Sequence, residues 1–340
     1  MRTRATRPAE PFEPIDPALP KVELHLHLEG AAPPAFIRDL AKRKHIDLAG
    51  MFDARGHYLY SDFNDFLKVY EAACTTLKSP EDFHRLTLAV AEQSARDGVI
   101  YSEVFLSPDF CGGGDLSAWR EYLHAIHEAA LEAEKTMGLT LRGIVTCIRH
   151  FGAKQSRKIA LCAAETAGEF VTGFGIAGDE NAGRVRDFTY AFDMAREAGL
   201  RLTAHAGEWG GPQSVRDALE HLRVERIGHG VRAIEDLALV DALAERGIVL
   251  EVCPGSNLAL RLYATLAEHP VNQLRKREVK ITLSTDDPPF FHTSNTAEYD
   301  ALARAFGWTE ADFRAINTDA AHAAFCDAET RTRLLAKLKA

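Results

Sequence analysis

Eight short apolar runs of strand type recur along this chain, at residues 22–27, 99–106, 139–148, 171–177, 201–205, 226–229, 248–253 and 279–284. Between them lie segments of helical spacing, such as Ile234, Leu237, Val240 and Leu243, or Phe83, Leu86, Val90 and Ala91 ahead of Gly98. Several runs, Ile248-Val249-Leu250 among them, are continuously apolar, which suits strands covered on both faces in a parallel sheet. Eight such units in 340 residues, 46% of them hydrophobic, predict an α/β chain folded as a (β/α)8 TIM barrel, in preference to an open doubly wound sheet. No GxGxxG or GxxxxGK[ST] loop follows a strand, which counts against dinucleotide and P-loop chemistry.

The rhythm breaks once. About seventy residues separate the first run from the second, twice what one helix and its loops require. The excess predicts a helical insertion after the first strand, a lid over about residues 48–80 carrying Phe52, Tyr58, Tyr60, Phe63, Phe66 and Tyr70. Ahead of the barrel, Pro8, Pro11, Pro14, Pro17 and Pro20 fall at every third position and predict an extended leader over residues 1–20. One barrel domain over 21–340 then completes the expected organisation.

Charge narrows the partners. A net charge of -9, with no basic run longer than three residues such as Arg275-Lys276-Arg277, argues against nucleic acid. No apolar window approaches membrane-spanning length, and none follows Arg2, Arg4 and Arg7 as a signal peptide requires. Six scattered cysteines without a CxxC pair read as reduced thiols, so a soluble cytoplasmic protein without a membrane partner is expected.

The chemistry concentrates at the ends of the apolar runs. In Lys21-Val22-Glu23-Leu24-His25-Leu26-His27-Leu28-Glu29-Gly30, strand alternation places His25, His27 and Glu29 on one face and Leu24, Leu26 and Leu28 on the other. Two imidazoles on one face make a metal clamp, although an HxH pair alone fits a solvated strand face equally well. His205, His229, Asp286 and Asp287 each stand at the end of a later run, Gly178 follows another, and Glu208 lies three residues after His205. All lie at or just after predicted strands one, four, five, six and eight, on the C-terminal face where such barrels carry their chemistry.

These motifs resemble the adenosine/adenine deaminase family of the amidohydrolase superfamily. The likeness is carried, in the family's order, by Lys21 to Gly30, Ala177-Gly178-Asp179-Glu180, His205-Ala206-Gly207-Glu208, Arg226-Ile227-Gly228-His229-Gly230-Val231 and Ser284-Thr285-Asp286-Asp287-Pro288. The resemblance implies one zinc ion per chain held by His25, His27, His205 and Asp286, with a water completing the shell. Imidazole and carboxylate donors with one open position suit a catalytic zinc site. It further implies that Glu208 protonates N1 of a purine, that His229 orients and deprotonates the water, that Asp287 holds N7 and that Gly178 offers its backbone to N3. His27 and Glu29 would complete the substrate contacts.

The implied reaction is hydrolytic deamination of a purine nucleoside or base. Ala177-Gly178-Asp179-Glu180 resembles the adenosine branch, which favours adenosine and 2′-deoxyadenosine as substrates, giving inosine and 2′-deoxyinosine. Glu29 departs from that branch, where aspartate usually reaches the ribose 5′-hydroxyl, and resembles the adenine branch. Cys253-Pro254-Gly255-Ser256-Asn257 follows neither. Adenine or an N6-substituted purine is therefore the alternative. An inactive zinc-binding barrel would be marked by loss of Glu208 or His229, and both are present.

Overall fold

The computed structural model describes residues 14–339. Its eight strands are β1 (Lys21–His27), β2 (Val99–Leu106), β3 (Thr140–Ile148), β4 (Val171–Ala177), β5 (Arg201–Ala206), β6 (Arg226–His229), β7 (Val249–Val252) and β8 (Lys280–Leu283). They pair in parallel, in chain order from β1 to β8. Helices α1 (Pro34–Lys44), α2 (Phe63–Cys74) and α3 (Pro80–Arg96) join β1 to β2, and α4 (Leu116–Met137), α5 (Ala153–Ala164) and α6 (Thr189–Glu197) follow the next three strands. Beyond β5 come α7 (Pro212–Asp217), α8 (Leu237–Arg246), α9 (Pro254–Ala259) and α10 (Val271–Lys276); α11 (Pro288–Phe291), α12 (Asn295–Phe306), α13 (Glu310–Ala323) and α14 (Ala328–Lys339) follow β8. This is the (β/α)8 barrel that the eight apolar runs predict.

The closure of the barrel builds the site. Past the end of β8, Leu26 and Asp286 form a parallel bridge, with the His27 N–H on the Asp286 carbonyl at 3.0 Å and the Asp286 N–H on the His25 carbonyl at 3.2 Å. Two backbone bonds thus hold the last acidic residue beside the first two histidines. Alternation along β1 is not regular, because its register against β2 shifts between Glu23 and Leu26. Leu24 accordingly packs with Val22, Tyr101 and residues of α13 and α14, whereas Leu26 and Leu28 join the main core.

The predicted lid is helical only in its second half. Asp62 caps α2 by accepting from the Asp65 N–H at 3.0 Å, while the segment before it carries Gly50 and Gly56 at positive φ and an antiparallel Phe52–Tyr58 bridge. Phe66 is buried on α2, contributing about 1.5–3 kcal/mol by its removal from water. Phe63, Phe66, Leu67, Tyr70 and Glu71 of this helix line a cavity at the barrel mouth. Pro8 and Pro11 of the leader lie outside the described residues. Its last part turns at Asp16–Leu19, buries Ile15 and Leu19, and ties the Ile15 N–H to Asp300 at 2.8 Å.

Candidate active site

Three imidazoles and one carboxylate converge where the strands end. The Nε2 atom of His205 lies 3.1 Å from Nε2 of His25 and 3.2 Å from Nε2 of His27. Asp286 Oδ1 lies 3.4 Å and 3.3 Å from the same two nitrogens. His25 turns Nδ1 to the Glu251 carboxylate at 2.8 Å, and because a carboxylate accepts, Nδ1 carries the hydrogen and Nε2 the lone pair. Three ring nitrogens and a carboxylate oxygen aimed at one point suit a cation. Ligands held at zinc-like distances of 2.0–2.1 Å on tetrahedral corners sit about 3.3–3.4 Å from one another, close to the spacings found. His229 also lies within 4.8 Å of the His25, His205 and Asp286 donors, with its Nε2 4.0 Å from Asp286 Oδ2. The donor set fits a divalent ion.

The surroundings hold these donors in place. Glu251 is buried among Arg226, Thr203 and His25, and although burial raises a carboxyl's pKa, the Arg226 guanidinium and the hydrogen bond from His25 bring this one down to about 2. Arg226 continues to Glu103 at 2.5 Å and stacks over Phe325 at 3.6 Å from the ring centre, so the ion-ligand end of the barrel is braced from its floor. The Ser256 hydroxyl donates to Asp286 Oδ2 at 2.7 Å. His229 and Asp286 both take left-handed backbone, at φ 59° and 65°, a strain of about 1–3 kcal/mol each that their neighbours sustain.

A cavity opens beside this cluster, lined by Gly178, Glu208, His229, Asp286 and Asp287 together with aromatic rings of α2 and Phe110. Burial, followed by the charges of Asp286 and Glu180, holds the Glu208 carboxyl well above the usual range. Burial also raises Asp287, reinforced by Asp286, Glu29 and Glu208, and its Oδ1 has no protein partner. Two neutral carboxyl groups facing one cavity can donate to two ring nitrogens. Burial has the opposite effect on His229, whose imidazole drops to about 3 and stays neutral, free to accept a proton. Its Nε2 stands 3.7 Å from Glu208 Oε2.

Glu29 differs from the sequence reading, and two glycines have a local structural reason. Glu29 does not line the cavity: it is 3% exposed and its Oε1 accepts from the Ser107 N–H at 3.2 Å. Strand geometry ends at His27, so alternation no longer aims residue 29 inward. Gly178 is required by its φ of 91° and by His150, whose Nδ1 would lie 2.7 Å from a Cβ there, before any ligand is considered. Gly255, the odd residue of its segment, gives its N–H to both Glu298 oxygens at 3.0 and 3.1 Å. A Cβ at 255 would meet that carboxylate at 2.0 Å. Glu251 was not singled out from sequence, although a glutamate inside the run Ile248-Val249-Leu250-Glu251-Val252 is itself a sign of a paired buried carboxylate.

A family model described as adenosine deaminase matches residues 20–340. The chain belongs to this family. Adenine deaminases at 42 to 47% identity align over 94% of it, among them that of Chelativorans sp. (strain BNC1), 46% identical with 98% of the relative covered. The crystal structure of an adenine deaminase from Arthrobacter aurescens superposes with a TM-score of 0.88 at 28% identity, covering 95% of this chain and 98% of that one. An amidohydrolase from Burkholderia ambifaria with bound zinc superposes with a TM-score of 0.84 at 28% identity, covering 95% and 90%. As a member of the adenosine deaminase family, the chain is a hydrolase acting on the C6 amino group of a purine. Among the described residues, no helix is long and apolar enough to cross a membrane.

Within this family site, Gly30 is as constrained as any charged residue. A Cβ there would lie 1.6 Å from Asp287 Oδ1 and 2.8 Å from the Tyr70 ring, so a methyl group cannot enter without moving the Asp287 carboxyl. Gly30→Ala is expected to lower kcat/KM about a hundredfold through that displacement. Metal content should stay at the wild-type level. Wild-type kinetics in the variant would show that Asp287 need not occupy its present position.

Proposed function

We propose that the chain is a zinc-dependent adenine deaminase that converts adenine and water to hypoxanthine and ammonia. The observation that carries this reading is the 42–47% identity to adenine deaminases over nearly the whole chain. It prefers the base over adenosine and 2′-deoxyadenosine, the substrates favoured by Ala177-Gly178-Asp179-Glu180 alone. The placement of Glu29 supports the same choice: its Oε1 accepts from the Ser107 N–H and the residue does not line the cavity in which a ribose hydroxyl would sit.

In this reading His25, His27, His205 and Asp286 hold one zinc ion, which supplies Lewis acidity that lowers the pKa of water towards neutrality. Adenine presents acceptors at N1, N3 and N7. Protonated Glu208 donates to N1 and Asp287 to N7, while the Gly178 backbone meets N3. As water oxygen adds to C6, Glu208 gives its proton to N1, which lets the ring give up its aromaticity. Neutral His229 takes one water proton and returns it to the amine; as the C6–N bond breaks and ammonia leaves, the C6 hydroxyl gives its proton to the Glu208 carboxylate, which leaves hypoxanthine with a C6 carbonyl and restores both side chains. The six unpaired cysteines fit a reducing compartment, and we place the enzyme in the cytoplasm.

Ultraviolet absorbance of zinc-loaded protein with adenine and, separately, with adenosine tests the assignment. Adenine should be consumed with the higher kcat/KM. A higher value for adenosine would return the enzyme to the nucleoside branch, and no loss of the chromophore with either would refute deamination of both.

A further inference from the structure

The loop that carries Glu208 is built around a second carboxylate. Glu180, three residues after β4, lies 5% exposed beneath the segment Gly207-Glu208-Trp209-Gly210. Its Oε1 accepts from the Gly207 N–H at 2.6 Å and from the Ser214 hydroxyl. Its Oε2 accepts from the N–H groups of Glu208 at 3.0 Å, Trp209 at 2.7 Å and Gly210 at 2.9 Å. Four consecutive backbone donors and one hydroxyl converge on one side chain. The sequence of the loop is adapted to it: Gly207 takes φ 72°, and a Cβ on Gly210 would stand 2.5 Å from Glu180 Oε1.

From this geometry we infer that Glu180 is a positioning residue for the proton donor, fixing the Glu208 backbone from below and tying it to the β4 loop that presents Gly178. The inference rests on the adenine deaminase reading, in which N1 meets Glu208 and N3 meets Gly178. Those ring atoms lie on one edge of the purine, separated by a single carbon, so the two loops must be in register with each other. Glu180 sets that register because it belongs to one loop and holds the other. Its charge also adds to the influences that keep the Glu208 carboxyl protonated, after burial and Asp286.

A glutamine cannot replace it. Either orientation of the amide turns an NH2 group towards backbone N–H donors, leaving them opposed by a donor where they now meet an acceptor. Glu180→Gln should therefore lower kcat for adenine about a hundredfold, as expected for a misplacement of the order of 1 Å in a reacting group. KM for adenine should change less than about threefold, because ring stacking and the Asp287 contact remain. Zinc content should stay close to wild type, since no ion ligand is touched, whereas the thermal transition should fall somewhat because buried N–H groups lose their acceptor.

The variant is made alone and in a Glu208→Gln background, with zinc stoichiometry, thermal melting and single-turnover rates measured for each. If Glu180 acts through Glu208, it has little left to lose once Glu208 has lost its acid, and the second substitution should change the residual rate less than about threefold. A hundredfold loss repeated in that background, loss of zinc, or wild-type kcat in the single variant would each overturn the inference. Glu180→Ser, which removes the side chain without opposing the donors, provides the check should the glutamine variant not fold: it should show the same selective fall in kcat, and an unchanged kcat would again overturn the inference. Failure of the wild-type protein itself to consume adenine would instead remove the reading on which the inference stands, and the inference with it.

Discussion

Glu208→Gln is expected to reduce turnover of adenine by about three orders of magnitude, within the range attributed to a well-placed general acid. Glutamine keeps the length of the side chain and can still donate a hydrogen bond to N1, but it cannot transfer a proton. Binding should therefore survive better than turnover, with the loss appearing in kcat more than in KM. Glu208 donates nothing to the ion cluster, so metal analysis of the variant should match wild type. The pH dependence follows from its raised pKa, caused first by burial and then by Asp286 and Glu180. The acid must be protonated to act, so wild-type kcat/KM holds below that pKa and falls as the pH rises through it. His229, neutral down to about 3, imposes no loss near neutrality. The variant should lack the wild-type basic limb assigned to this carboxyl. Turnover near the wild-type rate would show that another group protonates N1.

Much of this was legible in the chain because the physics of a barrel strand is local. A strand covered on both faces is predominantly apolar, and its C-terminal end is marked by the polar residues that face the mouth. Hence 99–106, 171–177 and 226–229 coincide with β2, β4 and β6, and the remaining runs differ from their strands by one or two residues at the ends. The same contrast exposed His25, His27, His205 and Asp286, each a charged or ligating group at the edge of an apolar run.

What escaped depends on where the chain stops being regular. The direction of Glu29 was read by extending alternation two residues beyond the end of β1, through a turn that sends it to Ser107 instead. The first half of the lid lacks helical spacing, since Phe52, Tyr58 and Tyr60 cannot share one helix face, and it folds as turns with a single bridge. Glu251 and Glu180 act on groups far away in sequence, the first on His25 and the second on Gly207 to Gly210. Their types hint at burial, but only the closed barrel identifies their partners.

His205→Ala should abolish both metal binding and activity, with a signature in stability that distinguishes a ligand from an ordinary core residue. His205 Nε2 stands 3.1 and 3.2 Å from the corresponding nitrogens of His25 and His27, so it is common to both close imidazole contacts. Burial and its three histidine neighbours hold it well below the usual imidazole range, which leaves a neutral ring with a free lone pair for an ion. In wild type, zinc that binds only the folded chain adds stability by mass action, about 4 kcal/mol at a thousandfold excess over Kd. The melting temperature should therefore rise on titration with zinc and fall again with a chelator. In His205→Ala that rise should vanish. The metal-free melting temperature should change less than the zinc-dependent rise that is lost. Full zinc occupancy, or a wild-type rise in melting temperature on zinc addition, would show that the ion is held without His205 and that the ligand set must be redrawn around His229, which lies within 4.8 Å of the His25 and Asp286 donors.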